Sequence, residues 1–525
     1  MRKSVIVGGL APLLLPSASA RASYIPIREC MGNASVPFDV PDSDDWALDV
    51  APFNERLPYT PIAIAVPRTV EHIEDAVKCA VGLGVKVAAK CGGHSYASLG
   101  LGGEDGHLVI EMDRMHDVTL SEDGETAVIQ GGARLGHVAT ELWEQGGRAI
   151  SHGTCPGVGI SGHALHGGFG MSSYTHGLAL DWILSATVVL ANGTTVRASA
   201  DENADLFWAL RGAGGSMGIV AEYEFATFEP VEEYTHFEAT LNWTDPDSIV
   251  DGWLELQAWG EEEMPREMNM RFSVDMRGVM LDGLYHGSQS DMEDVVLPLL
   301  ERVGGGVITS NVTFDWFGQL GQYAYTKDLN LTHPYNQHET FYAKSLFTHA
   351  LPREAIASFI SYTLTNASAI LQDTSRAQPA KPSEPGEPSA DPPRAQPPFL
   401  SSRFWWILVD IHGGANSYVS QEVAHDSTSY AHRDKLLLFQ FYDRSFGAYP
   451  PGEEPFKLLD GFVDSITAHL DEGDWGMYIN YADPRVEDVA EEVYWGENVE
   501  RLRGIKREFD PDDVFSNPLG IKPAV

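Results

Sequence analysis

Basic side chains are scarce in this 525-residue chain. Lysine and arginine together number 35, against 75 aspartates and glutamates, which gives a formal net charge of −40 at pH 7. Nucleic acids and anionic membrane surfaces bind to basic surfaces, so the composition argues against both as partners. A neutral small-molecule substrate is compatible with such a surface, and so is simple solubility in an acidic extracellular medium.

Long hydrophobic runs are also missing. No apolar stretch reaches the length of a transmembrane helix. Residues 1–20 instead have the order of a secretory signal: the basic pair Arg2 and Lys3, an apolar stretch, and small residues ending at Ala20. We predict cleavage after Ala20 and a secreted, extracellular protein. Six N-x-S/T sequons fit this expectation and lie at Asn33, Asn192, Asn242, Asn311, Asn330 and Asn366.

Helical and strand patterns alternate through the first domain that we predict, residues 21–229. Apolar residues at helical spacing, followed by glycine, predict helices over residues 67–84 and 135–145. The pair Asn192-Gly193, between two apolar runs, is typical of a hairpin turn. The other elements predicted in this domain are strands at residues 85–89, 108–112, 127–130, 183–190, 194–198 and 219–228 and a helix at residues 205–211.

A second domain is predicted over residues 230–470, with strands at 404–411 and 436–442, and a C-terminal segment over residues 471–525. At 525 residues the chain is long enough for two or three domains. Residues 373–398 are rich in proline, serine, glutamate and alanine, and they hold too few apolar residues to form a packed core. We interpret them as an exposed insertion that is dispensable for chemistry.

Two glycine-rich loops carry the most reactive side chains. Residues 90–96 read Lys-Cys-Gly-Gly-His-Ser-Tyr and place His94 directly after two glycines. Residues 151–162 read Ser-His-Gly-Thr-Cys-Pro-Gly-Val-Gly-Ile-Ser-Gly and contain Cys155. A histidine nitrogen and a cysteine sulfur are both nucleophilic enough to bond an electrophilic isoalloxazine ring. The pair of loops resembles the two attachment points of a doubly tethered flavin.

The first loop also has the features of an anion site. Gly92 and Gly93 bring bare backbone N–H groups close to a pyrophosphate, and Ser95 adds a hydroxyl. One such loop alone indicates only a tight turn near an anion. The nucleophile in each of two loops is what indicates a flavin.

Two other interpretations of this region are weaker. Residues 157–162 match G-x-G-x-x-G, and Asp181 follows, but a dinucleotide fingerprint must directly follow a buried strand, and here His-Gly-Thr-Cys-Pro precedes it. Eight histidines fall within residues 94–176, including His163 and His166 at helical spacing. No three of them are grouped with a carboxylate in a familiar ligand arrangement, so we predict no metal site.

Taken together, the two loops resemble the flavin-attachment motifs of the secreted oligosaccharide oxidases of the gluco- and chitooligosaccharide oxidase type, within the berberine-bridge-enzyme-like flavoproteins. The resemblance covers residues 66–228 and resumes over residues 437–523. It includes the stretches Gly-Leu-Ala-Leu-Asp-Trp and Gly-Ser-Met-Gly-Ile-Val. One departure is at residues 165–168, Leu-His-Gly-Gly, where relatives often carry Leu-Gly-Gly-Gly.

The resemblance implies an α+β architecture of the vanillyl-alcohol-oxidase type. Both ends of the chain would form a PCMH-type FAD-binding domain, and a second α+β substrate domain would be built on an antiparallel sheet. The implied cofactor is FAD, bonded through its 8α-methyl carbon to His94 and through ring carbon six to Cys155. Val158 is expected to border the side of the ring from which oxygen approaches. FAD contacts are expected at Gly92, Gly93, Ser95, Val158, Gly159, Gly162, Ile219, Val220 and Asn517.

The implied activity is that of a secreted FAD-dependent oxidase acting on CH–OH groups. It would convert the C1 hydroxyl of a reducing sugar or oligosaccharide to a lactone and reduce oxygen to hydrogen peroxide, and we expect a monomer. Two alternatives stay open. One is an oxidase or cyclase of a small secondary metabolite with the same cofactor, and the other is a non-catalytic, lectin-like protein on a degenerate flavin fold.

The resemblance places the catalytic base at Tyr481, assisted by Asp410. A free tyrosine has a pKa of about 10, so we predict that the two side chains work as a hydrogen-bonded unit. Strand alternation puts Trp406 and Asp410 on one face, with Trp406 as a platform for sugar stacking. Core packing is the alternative for Trp406, and a surface charge is the alternative for Asp410. The expected substrate contacts also include Tyr96, Gln440 and Tyr478, and Tyr478 is the alternative base.

The chain has only four cysteines. In an oxidising compartment a spare pair tends to form a disulfide. Cys30 lies near the start of the mature chain and Cys79 in a predicted helix, so we expect these two to be joined, which would tie down the N-terminus. Cys91 is expected to be a small buried residue.

Overall fold

The structure, a computed structural model, describes residues 18–275, 278–331, 337–367, 403–421 and 426–525. Most of the predicted signal peptide and the whole predicted insertion at residues 373–398 lie outside these ranges. None of the helices in these ranges is long and apolar enough to cross a membrane.

A four-stranded sheet comes first in the chain. Its strands are β1 (Phe38–Asp39), β2 (Ala63–Ala65), β3 (Val87–Lys90) and β4 (Leu108–Glu111). Their order is β1-β2-β4-β3, and β4 pairs in parallel with both of its neighbours. Every residue of β2 and β4 is buried, as is typical of parallel strands covered on both faces.

The helices α1 (Ala18–Asn33), α2 (Trp46–Asp49) and α3 (Val70–Leu83) accompany this sheet. The predicted helix at residues 67–84 is confirmed as α3. It begins after Thr69, whose side chain accepts a hydrogen bond from the backbone N–H of His72, and it ends at Gly84, whose φ of 67° suits glycine.

The predicted disulfide is present. It joins Cys30 in α1 to Cys79 in α3 and so ties the N-terminal helix to the first sheet. Cys91 is buried and its thiol lies 3.4 Å from the carbonyl oxygen of Ala133. Both expectations for these cysteines are confirmed.

A five-stranded antiparallel sheet follows, in the order β5-β6-β9-β7-β8. The strands are β5 (Val118–Leu120), β6 (Thr126–Gln130), β7 (Ile183–Val189), β8 (Thr195–Ser199) and β9 (Ile219–Ala226). The helices of this region are α4 (Leu135–Gly146), α5 (Ile160–Ala164), α6 (Ser173–His176) and α7 (Ala204–Ala213). The predicted hairpin is confirmed: β7 pairs with β8, and Gly193 in the turn has φ 70°.

The third sheet is an eight-stranded antiparallel one. Its strands are β10 (Tyr234–Leu241), β11 (Met268–Asp275), β12 (Gly278–Tyr285), β13 (Gly306–Phe314), β14 (Thr340–Thr348), β15 (Arg403–Ile411), β16 (Leu437–Ser445) and β17 (Trp475–Gly476). Their order is β13-β10-β12-β11-β15-β16-β14-β17. The expected α+β class and the antiparallel sheet of the second domain are therefore confirmed.

One face of the eight-stranded sheet packs on helices. Those of this region are α8 (Pro246–Glu262), α9 (Gln289–Arg302), α10 (Trp316–Ala324), α11 (Arg353–Tyr362), α12 (Tyr418–Gln421) and α13 (Lys457–Thr467). Trp405 of β15 contacts Phe462 of α13, and Phe272 of β11 contacts Trp253 of α8, with ring centroids 5.1 and 4.7 Å apart. The opposite face carries the side chains of the candidate site.

The C-terminal segment returns to the first two sheets. Its helices are α14 (Ala490–Trp495) and α15 (Val499–Phe509). Beyond them the carbonyl of Val514 accepts a hydrogen bond from the N–H of Val87 in β3 at 2.8 Å. The buried ammonium of Lys506 pairs with Asp510 at 2.6 Å and donates to the carbonyl of Ser216 at 2.8 Å. Both ends of the chain thus contribute to one body; the residue boundaries of the three predicted segments stay predictions.

We predict that Cys30→Ser lowers the free energy of unfolding by about 4 kcal/mol, because the disulfide closes a loop of 49 residues in the unfolded chain. Cys79→Ser should have a similar effect, and the double variant should be little worse than either one. Thermal and denaturant unfolding measure this. An unchanged unfolding midpoint in both single variants would contradict a stabilising role for the cross-link.

Candidate active site

The two glycine-rich loops lie against each other, backbone to backbone. A Cβ built on Gly92 would be 2.2 Å from the nitrogen of Gly159, so neither position tolerates a side chain there. The buried guanidinium of Arg134 joins the loops, because its Nη1 donates to the carbonyl of Gly92 at 2.8 Å and to that of Gly157 at 2.7 Å. The structure therefore combines the two predicted motifs in one site.

His94 is held beside an aromatic ring from outside both loops. Its imidazole stacks on Phe53, with centroids 4.2 Å apart and an interplanar angle of 21°. Burial, helped by the charge of Arg134, lowers the pKa of His94 to about 3. The imidazole is consequently neutral at physiological pH, which is the form that acts as a nucleophile.

Cys155 is half-buried in the second loop, which is anchored on the start of α4. Val158 donates its N–H to the carbonyl of Cys155 at 3.3 Å, and its own carbonyl accepts from Leu135 at 2.8 Å. Burial, and then the electrostatic influence of the Cys155 side chain, raise the pKa of Tyr96. Cys155 and Tyr96, one from each loop, thus interact electrostatically.

Glycine and serine residues set the local shape of the two loops. A Cβ added at Gly162, which is exposed, would meet no atom within 4 Å. Gly93 adopts φ 71°, which turns the chain sharply ahead of His94. The hydroxyl of Ser95 accepts a hydrogen bond from the N–H of Leu99 at 3.0 Å and so also fixes this turn. These features fit a cofactor that lies along both loops.

The remaining predicted cofactor residues lie further along the same body. Ile219 and Val220 begin β9, and a Cβ on Gly131 would lie 2.1 Å from the carbonyl oxygen of Val220. Asn517 closes a turn in the C-terminal segment, where its Oδ1 accepts from the N–H of Leu519 at 3.0 Å. Their contact with the cofactor stays a prediction.

Three predicted residues on the substrate side are brought together. Gln440 in β16 donates from Nε2 to the hydroxyl oxygen of Tyr96 at 2.8 Å. The ring of Tyr96 stacks on that of Tyr481, with centroids 5.8 Å apart and an interplanar angle of 16°. Tyr96 therefore connects the first flavin-type loop to the expected catalytic base.

Asp410 is buried, so the alternative of a surface charge is wrong. Burial raises its pKa to about 7, although the neighbouring Arg271 opposes the shift. Burial and then Asp410 itself raise the pKa of Tyr481 well above that of a free tyrosine. Among the described residues, no hydrogen bond joins the two side chains, so the predicted direct bond is not present in this structure. The carboxylate and the phenol are instead coupled by charge.

Trp406, Leu408 and Asp410 alternate along β15, so Trp406 lies on the same face of the strand as Asp410. Its ring is half-buried and stacks on Tyr442 of β16, with centroids 4.2 Å apart. One face of the indole is thus supported by packing, and the side chain remains partly exposed beside the site.

Tyr478 has a different environment from the one that we predict from the sequence. It is buried, and its hydroxyl oxygen accepts hydrogen bonds from the N–H groups of Gly168 and Phe169 at 2.9 and 3.1 Å and from the Asn480 amide at 3.0 Å. A Cβ on Gly167 would lie 3.0 Å from its ring. This arrangement favours a packing role for Tyr478 over contact with a substrate.

The imidazole rings of His163 and His166 form hydrogen bonds with backbone groups. His163 accepts the N–H of Gly153 at 2.8 Å, and His166 bonds the carbonyl of Gly162 at 2.9 Å and the N–H of Gly215 at 3.3 Å. The departure from Leu-Gly-Gly-Gly at His166 is thus explained by a cross-link between two turns.

Elsewhere in the described ranges, one cluster has the geometry of a metal site. The ligand atoms of His236, Glu238 and Asp282 lie within 4.8 Å of one another. Asp282 already pairs with Arg271 at 3.3 Å and with His236 at 3.2 Å. A cation there would have to replace a guanidinium, so the cluster is satisfied without a metal.

The segment that carries Tyr481 is held at both ends by β14. The hydroxyl of Ser345 accepts the N–H of Tyr478 at 2.8 Å and donates to its carbonyl at 3.2 Å. On the opposite face of the strand, the buried ammonium of Lys344 pairs with the fully buried carboxylate of Asp483 at 2.8 Å. Tyr481 lies between these two anchors.

Sequence reasoning missed Arg134, Phe53 and Lys344. Arg134 follows a Gly-Gly-Ala stretch, which is a local sign of close backbone approach. No local sequence feature marks Phe53 or Lys344, because each reaches the site from a part of the chain that is distant in sequence.

Comparison with known protein families supports these observations. A family model described as an FAD binding domain matches residues 61–199, and one described as berberine and berberine like matches residues 477–522. The xylooligosaccharide oxidase of Thermothelomyces thermophilus is 48% identical over 514 residues, which cover 97% of this chain and 96% of that protein. The glucooligosaccharide oxidase of Sarocladium strictum is 43% identical over 503 residues, 95% of this chain and 94% of that protein.

Solved structures give the same result. The glucooligosaccharide oxidase from Acremonium strictum, described with a 6-S-cysteinyl, 8α-N1-histidyl FAD, superposes with a TM-score of 0.87. It is 43% identical in sequence, and the match covers 95% of this chain and all of that chain (100%).

We predict that Lys344→Met lowers the free energy of unfolding by about 3–5 kcal/mol, because the Asp483 carboxylate would remain buried without its partner. Lys457→Met is the matched control: Lys457 pairs with Glu454, both are exposed, and the loss should stay below about 1 kcal/mol. Urea unfolding of both variants measures this. Equal decreases in the free energy of unfolding of the two variants would show that the buried ion pair contributes no more to stability than the exposed one.

Proposed function

This chain belongs to the berberine-bridge-enzyme-like FAD-dependent oxidoreductases, and from its site we propose that it is a secreted, monomeric oligosaccharide oxidase with a doubly attached flavin. The reaction is oxidation of the C1 hydroxyl of a reducing sugar to a lactone. The observation that carries the proposal is the grouping of Tyr96, Gln440 and Tyr481 beside the loops of His94 and Cys155.

The substrate class follows from the chemistry of the site and from the relatives. The matched relatives with 48% and 43% identity are named for xylo- and glucooligosaccharides. Neutral sugars carry hydroxyl groups for Tyr96 and Gln440 and apolar C–H faces for Trp406. These observations favour a sugar over a small hydrophobic metabolite, and the assembled titratable groups favour an enzyme over a lectin-like protein.

His94 and Cys155 are the proposed attachment residues. FAD, when bound there, would supply the two-electron acceptor for the hydride from C1 and the route by which oxygen is reduced to hydrogen peroxide. The neutral imidazole of His94 and the half-buried thiol of Cys155 are the nucleophiles available to it. Val158, which is half-buried beside Cys155, is the proposed neighbour of the oxygen path.

Tyr481 and Asp410 are the proposed proton carriers. The substrate hydroxyl loses its proton to the oxygen of Tyr481, and the phenol proton moves to the carboxylate of Asp410. For that transfer the two side chains must form the hydrogen bond that is absent among the described residues of this structure. A tyrosine whose pKa is raised stays protonated, so it needs this second acceptor to work near neutral pH. The raised pKa of Asp410, about 7, makes the carboxylate a stronger base than an exposed aspartate.

Peroxide release from a panel of reducing sugars tests the activity. Xylose, glucose and their β-1,4-linked oligomers should yield peroxide with the wild type. The corresponding sugar alcohols lack the C1 hemiacetal and are the matched controls. If the wild-type enzyme contains flavin but releases no peroxide with any reducing sugar, the proposal is wrong.

We predict that either single change, His94→Ala or Cys155→Ala, leaves flavin covalently bound after acid precipitation. The reason is that each residue forms one of two independent bonds. The double variant should release the flavin into the supernatant, which absorbance and fluorescence of the two fractions measure. Complete release from either single variant would refute double attachment.

We predict that the rate of flavin reduction by sugar rises with pH through about 7 in the wild type, because the pKa of Asp410 is raised to that value and only its ionised form accepts a proton. Tyr481→Phe and Asp410→Asn should each lower the rate about 10²–10⁴-fold and abolish this rise. The double variant should be little worse than either single one.

Anaerobic stopped-flow measurements at several pH values give these rates. Flavin content and unfolding temperature are the controls for an intact protein. Near wild-type flavin reduction by Tyr481→Phe would show that another group removes the proton.

A further inference from the structure

Strand β15 presents a continuous row of side chains toward the candidate site. Phe404, Trp406 and Leu408 are half-buried on this face, and Asp410 lies at its inner end, whereas the residues between them are buried against helices. The row runs from the proposed proton acceptor to the outer end of the strand.

The outer part of this row is aromatic. The ring centroids of Phe404 and Trp406 are 5.8 Å apart, with an interplanar angle of 33°. Trp406 is supported from behind by Tyr442, at 4.2 Å. Two neighbouring rings on one strand thus offer adjacent apolar surfaces.

Charged side chains flank both rings. In the sheet register, Asp275 of β11 lies opposite Trp406, and Arg444 of β16 lies opposite Phe404. Arg444 is itself oriented by Glu339, at 3.4 Å. A ring that stacks on an apolar face, beside a charged group that bonds hydroxyls, is the combination that an amphipathic sugar unit requires.

We propose that Phe404 and Arg444 form an outer sugar-binding subsite, so that this row of side chains on β15 recognises at least three consecutive sugar units. This inference rests on the proposed oligosaccharide oxidase activity. The unit to be oxidised lies at Tyr481 and Asp410, the second stacks on Trp406, and the third stacks on Phe404 and bonds Arg444.

The length of the row supports three units. Six strand positions separate Asp410 from Phe404, which corresponds to about 20 Å along the strand. That span accommodates three pyranose rings in an extended chain. Leu408 lies between the inner unit and Trp406 and offers no ring for stacking.

Phe404→Ala tests the subsite when kcat/KM is measured for mono-, di- and trisaccharides of the xylose and glucose series. In the wild type, kcat/KM should rise from disaccharide to trisaccharide in the preferred series. Phe404→Ala should reduce this rise about tenfold, which corresponds to ~1.4 kcal/mol, and leave the disaccharide unchanged. Phe404→Trp should retain the rise, and Arg444→Ala should reduce it.

A merely structural role gives a different pattern. Equal losses on mono-, di- and trisaccharides in Phe404→Ala, or no rise from di- to trisaccharide in the wild type, would overturn the subsite while leaving the oxidase activity intact. Calorimetric binding of the reduced, non-oxidisable trisaccharides tests it without turnover. Equal affinity of wild type and Phe404→Ala would overturn it, and weaker binding by the variant would support it. Failure to oxidise any sugar would count against the proposed function instead.

Discussion

The contact between Gly92 and Gly159 is the constraint on which the site depends. Because a Cβ at Gly92 would lie 2.2 Å from the backbone nitrogen of Gly159, the two loops approach too closely there for a side chain at either glycine. Arg134 then satisfies a carbonyl from each loop with one guanidinium. Removing that donor would leave two carbonyls without their partner, which costs about 1–3 kcal/mol for each buried one. This contact brings the loop of His94 against the loop of Cys155, which is the arrangement that the proposed double attachment of a flavin requires.

The position of Tyr481 depends on a second constraint. The segment from Tyr478 to Asp483, which carries Tyr481, is anchored on β14. Ser345 holds one end by two backbone hydrogen bonds, and Lys344 holds the other by a buried ion pair. The ion pair by itself is weak evidence for stability, since both charges lose their hydration. Its effect is geometric: it fixes the position of Tyr481 against Tyr96, which belongs to the first flavin-type loop.

Local signals in the sequence predicted most of the elements of the first domain. The helix that ends at Gly84 and the hairpin at Asn192-Gly193 have their stop and turn residues within the element, so a few neighbouring residues decide the structure. The resemblance supplied the expected residues of the site. The environment of Tyr478 was not predictable, because its partners at Gly168 and Phe169 lie some 300 positions away, and only the folded chain brings them together. The same holds for Lys344 and Asp483.

Different physical effects act on the charges of the surface and on those of the site. The chain has a net charge of −40, and salt screens charges on exposed side chains. In the site, burial dominates: it keeps His94 neutral and raises the pKa of Asp410 to about 7. The proposed substrates, a neutral sugar and molecular oxygen, would enter such a site without a large electrostatic penalty, whereas an anionic substrate would meet both the surface charge and the Asp410 carboxylate. Burial thus gives Asp410 the basicity that the proposed proton transfer from Tyr481 requires.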